Sequence, residues 1–522
     1  WYTAGGLLEV GGYLDTIPHS AGEWAAAGGT VRLHGDAVIA QGGSAVNLSG
    51  GTLNVETGYI RQTWLKGADG NLYDAATAPG YLRYTGLYRG YERTSERWGQ
   101  TQAWRNPLIN PEKRLENGYV TGRDAGQLIV SAPTAILEGD IVAEVYNGER
   151  QNRARAQGLD GYNQAQNSVA RAGQLLLGKY GLLGLSGGFD SDVRVGDIED
   201  VAGELERDAE LGERLGTVWL DAARLNEQGL GGLDLVSAGG IAVEQDLDVT
   251  PGGYVRLASG QVDVDATITA RGGDITLTNI IEVYDEAAQG MAVRSLTEAD
   301  GETYLRLGGD GVLDARGLWT SQGGSGGALA DMAYRHGGRV EMSSTQDVIL
   351  EQGSLIDVSS GAARAADGSL LGARGGDITL HANAPLTDNV TDGAGGVLTL
   401  DGELRGYGVD GGGTLHIESG DAIVVGGEVL DTEGLLPAGE AAPVDLTLLE
   451  AAIIAAGQPL PFDYSYTRDA ALPGQPFGNS PNTISGNPVT LAADWVVPPG
   501  DGGSLFRLLG DGPVWGLARI RL

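Results

Sequence analysis

The chain has 522 residues, of which 88 are Gly and none is Cys, and its 69 Asp and Glu against 34 Lys and Arg leave a net charge of −35. No apolar run reaches the ~18 residues of a membrane helix, Gly does not recur every third residue as in collagen, and 41% hydrophobic residues are too many for a disordered acidic tail. The acidic surplus speaks against nucleic acid as a partner, because phosphate binding needs clustered Lys and Arg.

One motif organises the chain: a Gly, a small or polar residue, then alternating apolar positions. Residues 1–60 carry it as Gly29-Thr-Val31-Arg-Leu33 and Gly51-Thr-Leu53-Asn-Val55, and read as β-coils. Residues 61–120 lack it and hold Trp64, Tyr73, Tyr81, Tyr84, Tyr88, Tyr91, Trp98 and Trp104; they read as an aromatic-rich excursion. Coils resume over 121–146 with Gly126-Gln-Leu128-Ile-Val130. Residues 147–215 are charged and Ala/Gln-rich, an excursion with helix-like stretches near 163–172 and 201–211.

Residues 216–430 return to the motif at Gly216, Gly232, Gly253, Gly273, Gly338, Gly376, Gly396 and Gly413. The spacing is 21 residues from Gly232 to Gly253 and 20 from Gly253 to Gly273; the 38 from Gly338 to Gly376 read as two periods. One period divides into strands Tyr254–Ala258, Gln261–Val264 and Thr267–Ala270, with Gly at the turns. Residues 431–500 carry ten Pro and a helix candidate, Leu448–Ala456, opened by the capping box Thr447-Leu-Leu-Glu450. Residues 501–522 read as final coil strands, starting from Gly503-Ser-Leu505.

Short alternating strands on a twenty-residue period, with helices only in the interruptions, predict an all-β parallel β-helix, a solenoid, with excursions containing short helices. A two-sheet sandwich would favour spacings of about 8–12 residues. About 320 coil residues make roughly sixteen coils, a rod about 75 Å long at ~4.8 Å per stacked strand.

Five stretches carry a resemblance to a known family. They are Tyr88-Arg-Gly-Tyr-Glu92 with Trp98-Gly99, Gly118-Tyr-Val-Thr-Gly-Arg-Asp-Ala-Gly126, and Trp219-Leu-Asp-Ala-Ala-Arg-Leu-Asn226 with Gly229-Leu-Gly231; then Leu313-Asp-Ala-Arg-Gly-Leu-Trp319 and Gly353-Ser-Leu-Ile-Asp-Val-Ser-Ser360. In this order the chain resembles the filamentous-haemagglutinin-like exoproteins exported by two-partner secretion. The resemblance implies a right-handed parallel β-helix, a surface fibre, an outer-membrane β-barrel transporter as partner during export, and adhesion or biofilm-matrix attachment as the role. It implies a secreted protein of the bacterial cell surface that binds a host-cell or matrix polysaccharide or protein. Its alternative is the stick region of a contact-dependent toxin exoprotein. Zero Cys fits passage through an outer-membrane pore, where a disulfide would block threading. The chain reads as an internal piece of a longer polypeptide.

Catalytic signals are weak. Gly184-Leu-Ser186-Gly-Gly188 and Gly323-Gly-Ser325-Gly-Gly327 fit a nucleophile-elbow pattern without its strand–turn–helix context. Gly406-Tyr-Gly408-Val-Asp-Gly411 opens no predicted helix, as a dinucleotide loop would. His19, His34, His336, His381 and His416 have no metal-ligand spacing. No cofactor is expected beyond weak Ca²⁺, for which Asp190, Asp192 and Asp197 are the candidates in the densest acidic loop. Asp263 and Asp265 share a strand face, the simplest reading being a solvated one. A polysaccharide-acting β-helix enzyme remains the alternative; it requires carboxylates from neighbouring coils converging in a groove. For partner contact the candidates are Tyr81, Tyr84, Tyr88, Tyr91, Trp98 and Trp104 with Arg89 and Arg97, which suit sugar stacking or protein anchoring. The simpler expectation is that these rings pack down onto the rod.

Overall fold

The alternating motif becomes a stack of parallel strands, because placing every second side chain inward buries an apolar column without a free edge between rungs. In this computed structural model the first face consists of Thr30–His34, Gln127–Ser131, Gln174–Leu177, Gly232–Val236, Tyr254–Ala258, Asp274–Thr278, Arg339–Ser343, Asp377–Ala382 and Gly413–Ser419. Each is paired in parallel with the next. The register lines up Val31, Leu128, Leu175, Leu233, Val255, Ile275, Val340, Ile378 and Leu415 in one column, buried from Leu128 onward. Burying one such side chain contributes about 1.5–3 kcal/mol.

A second face of nine parallel strands runs from Ala37–Ala40 to Leu398–Leu400. The third contains Leu247–Val249, Thr267–Ala270, Val312–Asp314, Leu355–Asp357 and Glu403–Arg405. Pro513–Arg521 continues the stack, pairing first with Leu404 and Arg405 and then with Gly413–His416. The chain is therefore nearly all β, with the long parallel sheets of a β-helix, and Tyr254–Ala258, Gln261–Val264 and Thr267–Ala270 fall on the three faces in turn.

The structure describes residues 26–75, 78, 82–104, 113–148, 151, 169–206, 209–297, 302–321, 333–364, 370–386 and 396–419, and the strands Ile423–Val425, Val489–Leu491, Ser504–Arg507 and Pro513–Arg521. The helix expected at Leu448–Ala456 lies outside these residues. Among them no helix is long and apolar enough to cross a membrane.

Two compact units are present. The larger comprises Ala27–Gly51 and Gly122–Leu522 and holds the coil stack. The smaller comprises Trp1–Ala26 and Thr52–Thr121. Within it Gly58–Arg61 runs antiparallel to Lys113–Glu116, Trp64–Gly67 pairs with both Leu72–Asp74 and Tyr84–Leu87, and Tyr91–Ser95 forms a hairpin with Gln100–Trp104. Thr52–Val55, read from sequence as a coil, instead forms a two-stranded sheet with Tyr119–Gly122.

Other readings change as well. Arg339–Ser343 and Asp377–Ala382 are adjacent rungs, so the 38-residue spacing is one long coil and not two periods. The first face accordingly shows nine strands before Pro513–Arg521 among the described residues, short of sixteen coils. The segment 147–215 contributes Gln174–Leu177 and Asp192–Gly196 to the stack. Of the helix-like stretch 163–172, residues 163–168 lie outside the described residues, and neither 169–172 nor the described part of 201–211 is helical. A six-residue helix occurs instead at Ala222–Glu227.

That helix fills a strand position. Asn226 donates from Nδ2 to the Asp246 carbonyl at 2.8 Å and accepts the Asp248 N–H at 2.7 Å, imitating the paired groups of a parallel strand. On the other side Gln228 donates to the Gly139 carbonyl at 3.2 Å. Asp221 caps the helix by accepting the Arg224 N–H at 2.8 Å.

Candidate functional site

Two surfaces concentrate chemistry, one in each unit. In the smaller unit, the hairpin Tyr91–Ser95/Gln100–Trp104 pairs Tyr91 with Trp104 directly across its strands, with ring centroids 6.1 Å apart. The tight turn between the strands leaves Trp98 with Arg97 over its ring at 5.4 Å. Tyr91 is 67% exposed, Trp98 72% and Trp104 50%, so these three rings remain in solvent, contrary to the expectation that they pack down. Elsewhere in the unit Tyr84 meets Tyr73 edge-on at 5.8 Å, and Lys66 lies 6.0 Å from the Tyr88 ring. Arg89 is exposed, and Tyr81 lies outside the described residues. The structure thus gathers Tyr91, Trp98, Trp104 and Arg97 on one hairpin and places Tyr84 and Tyr88 with the neighbouring three-stranded sheet.

In the larger unit the charged residues stack rung on rung. Arg306 reaches Asp263 at 3.0 Å and Asp265 at 3.1 Å on one neighbouring rung and Glu351 at 2.7 Å on the other. The D-x-D pair is therefore cross-linked by a guanidinium and not simply solvated. Hydrogen bonding to Arg306 holds the Glu351 carboxyl below the usual carboxylate range, the wrong direction for a general acid.

At the end of the third face, Asp314, Asp357 and Arg405 are register partners on successive rungs. Arg271 donates to both oxygens of Asp314 at 2.9 Å, and Arg316 grips the same carboxylate at 2.9 and 2.6 Å. Arg405 forms a similar fork with Glu403 at 2.6 and 2.9 Å. Arg271, Arg316, Asp357, Glu403 and Arg405 border an open cavity of about 620 Å³, joined by Trp319 and Tyr407, with Asp314 behind the first two guanidiniums. Asp357 and Glu403, carboxylates from neighbouring coils, do converge here, the arrangement an enzyme would need, but Glu403 is held in a bidentate guanidinium pair.

Other sequence candidates scatter. Asp192 and Asp197 flank opposite ends of Asp192–Gly196, a separation of about 16 Å at ~3.3 Å per residue, so they cannot share an ion. Asp192 instead accepts the Gly240 N–H at 3.3 Å, and Asp190 is exposed in the preceding bend. Among the described residues no three His, Asp or Glu converge in metal-binding geometry. Ser186 lies in the hairpin Lys179–Gly181/Gly184–Gly187, with its hydroxyl donated to the Lys179 carbonyl, and the second elbow-like match lies outside the described residues. His381 and His416, far apart in sequence, meet on either side of Glu418 at 3.1 and 2.8 Å.

Sequence reasoning missed the third-face cavity, although Leu313–Trp319 and Gly353–Ser360, both singled out there, supply Arg316, Trp319, Asp357, Ser359 and Ser360 to it. No family model matches the chain, and neither curated proteins nor solved structures show significant similarity to it.

Proposed function

We propose that this chain is a non-catalytic shaft segment of a large secreted bacterial surface adhesin, exported through an outer-membrane β-barrel partner. The observation that carries the reading is a coil stack combined, in one chain, with a hairpin that leaves Tyr91, Trp98 and Trp104 in solvent beside Arg97. Stacked coils supply length without free edges, while exposed aromatics supply the rigid, amphipathic contact area typical of binding hot spots. The ordered sequence stretches resembling haemagglutinin-like exoproteins and the absence of Cys support the same reading.

Beads coated with the full chain test it by attachment to host cells or to extracted biofilm matrix. Trp98→Ala combined with Trp104→Ala should reduce attachment roughly tenfold or more, in line with hot-spot losses of about 2 kcal/mol. The melting temperature should stay unchanged, because the truncated rings are largely exposed. Undiminished attachment by a folded double variant would sink the adhesin reading of this hairpin.

The second reading, a polysaccharide-acting enzyme, is favoured by the convergence of Asp357 and Glu403 in a cavity. Release of reducing ends from a polysaccharide, abolished by Asp357→Asn, would establish it in place of the shaft reading.

A further inference from the structure

We infer that the third-face cavity is a binding subsite for a neutral polysaccharide chain, separate from the aromatic hairpin. It spans four successive rungs, from Arg271 through Arg316 and Asp357 to Arg405, about 14 Å along the stack at ~4.8 Å per rung. That length suits a short run of sugar units, and the cavity's 620 Å³ lies within the ~300–1,000 Å³ usual for ligand sites.

The lining selects the ligand's chemistry. Among the described residues no aliphatic side chain lines the cavity, which disfavours an apolar ligand. Three guanidiniums face it, but Arg271 and Arg316 are already paired with Asp314, and Arg405 with Glu403. The charge is largely compensated in place, so an anionic ligand would have to compete with carboxylates already bound. Each guanidinium has five N–H donors and these forks use two of them, which leaves donors for hydroxyl oxygens.

Asp357 supplies the complementary acceptor. It is 4% exposed, and its Oδ1 accepts the Ser359 N–H at 2.9 Å. Its Oδ2 has Arg316 Nε at 3.8 Å, beyond hydrogen-bond distance, so this oxygen retains acceptor capacity on the cavity wall. Alternating donors and acceptors match vicinal hydroxyls. Trp319, 67% exposed, and Tyr407, 46% exposed, offer ring faces for the C–H surface of a sugar.

Affinity electrophoresis of the full chain tests the inference, with dextran, a mixed-linkage β-glucan and a galactomannan as neutral probes and polygalacturonate as the acidic comparator. At least one neutral polymer should retard the wild type. Trp319→Ala should weaken that retardation roughly tenfold, the loss expected for one aromatic stacking contact. Asp357→Asn, which retains the side-chain shape, should weaken it as well. Leu182 is 90% exposed and outside the cavity lining, so Leu182→Ala should leave it unchanged, and a folded Trp98→Ala/Trp104→Ala double variant that is still retarded would separate this site from the hairpin. Melting temperatures confirm that each variant is folded. Retardation by polygalacturonate alone, by no polymer, or equally in wild type and folded Trp319→Ala would overturn the inference.

Discussion

Gly273 shows how a missing side chain positions a backbone. A Cβ there would overlap the carbonyl oxygen of Gly253 on the preceding rung, and one on Gly338 would overlap that of Gly273. Close approach explains these repeating glycines, whereas the preceding Gly272 adopts a positive φ of 59° at the corner. Gly273→Ala should cost about 1–3 kcal/mol as an overpacking substitution. Gly42→Ala, where a Cβ meets nothing within 4 Å, should be near neutral. Equal melting temperatures for the two variants would remove the close-approach explanation. At His381, burial lowers the imidazole pKa below its ordinary 6.5, against the opposing pull of Glu418; His416 lowers it further and Glu341 raises it. The unfolded chain then binds the proton more readily, so stability falls as pH drops through 6.5 towards the lower folded value. His381→Gln should flatten this acid-side loss in melting temperatures recorded between about pH 5 and 8. An unaltered slope would show that other groups control it.

At the scale of elements, the helix Ala222–Glu227 replaces a strand because Asn226 can donate and accept at once. Asn226→Ala would leave the Asp246 carbonyl and Asp248 N–H without these partners, a loss of about 1–3 kcal/mol. Asn226→Asp keeps the acceptor and loses the donor, so it should fall between. Urea midpoints at constant m-value measure both changes, and an unshifted midpoint for Asn226→Ala would refute the strand-replacement role. Strands with complete alternation were legible: Tyr254–Ala258, Gln261–Val264 and Thr267–Ala270 have their predicted bounds. Gln174–Leu177 and Asp192–Gly196 were hidden by polar, Ala-rich surroundings, and Thr217–Asp221 inserts between Thr134–Leu137 and Asp192–Gly196 against chain order. Local periodicity contains no information about such an inversion.

For the whole molecule, residue count proved a poor measure of rung count, because an excursion lengthens a coil without adding a strand to each face. The candidate sites divide in the same way. The aromatic content of 61–120 was visible as composition, but the cross-strand register decides that Tyr91 and Trp104 lie side by side in solvent. Arg306 with its three carboxylates, and Asp357 with its cavity, join residues from different rungs. By itself the sequence determined an all-β chain of stacked coils, since Gly placement and two-residue alternation are local and leave few other ways to bury the apolar positions. Tertiary structure alone decided how many rungs form, where a helix stands in for a strand, and which charges face one another, because register between distant segments is settled only when they pack.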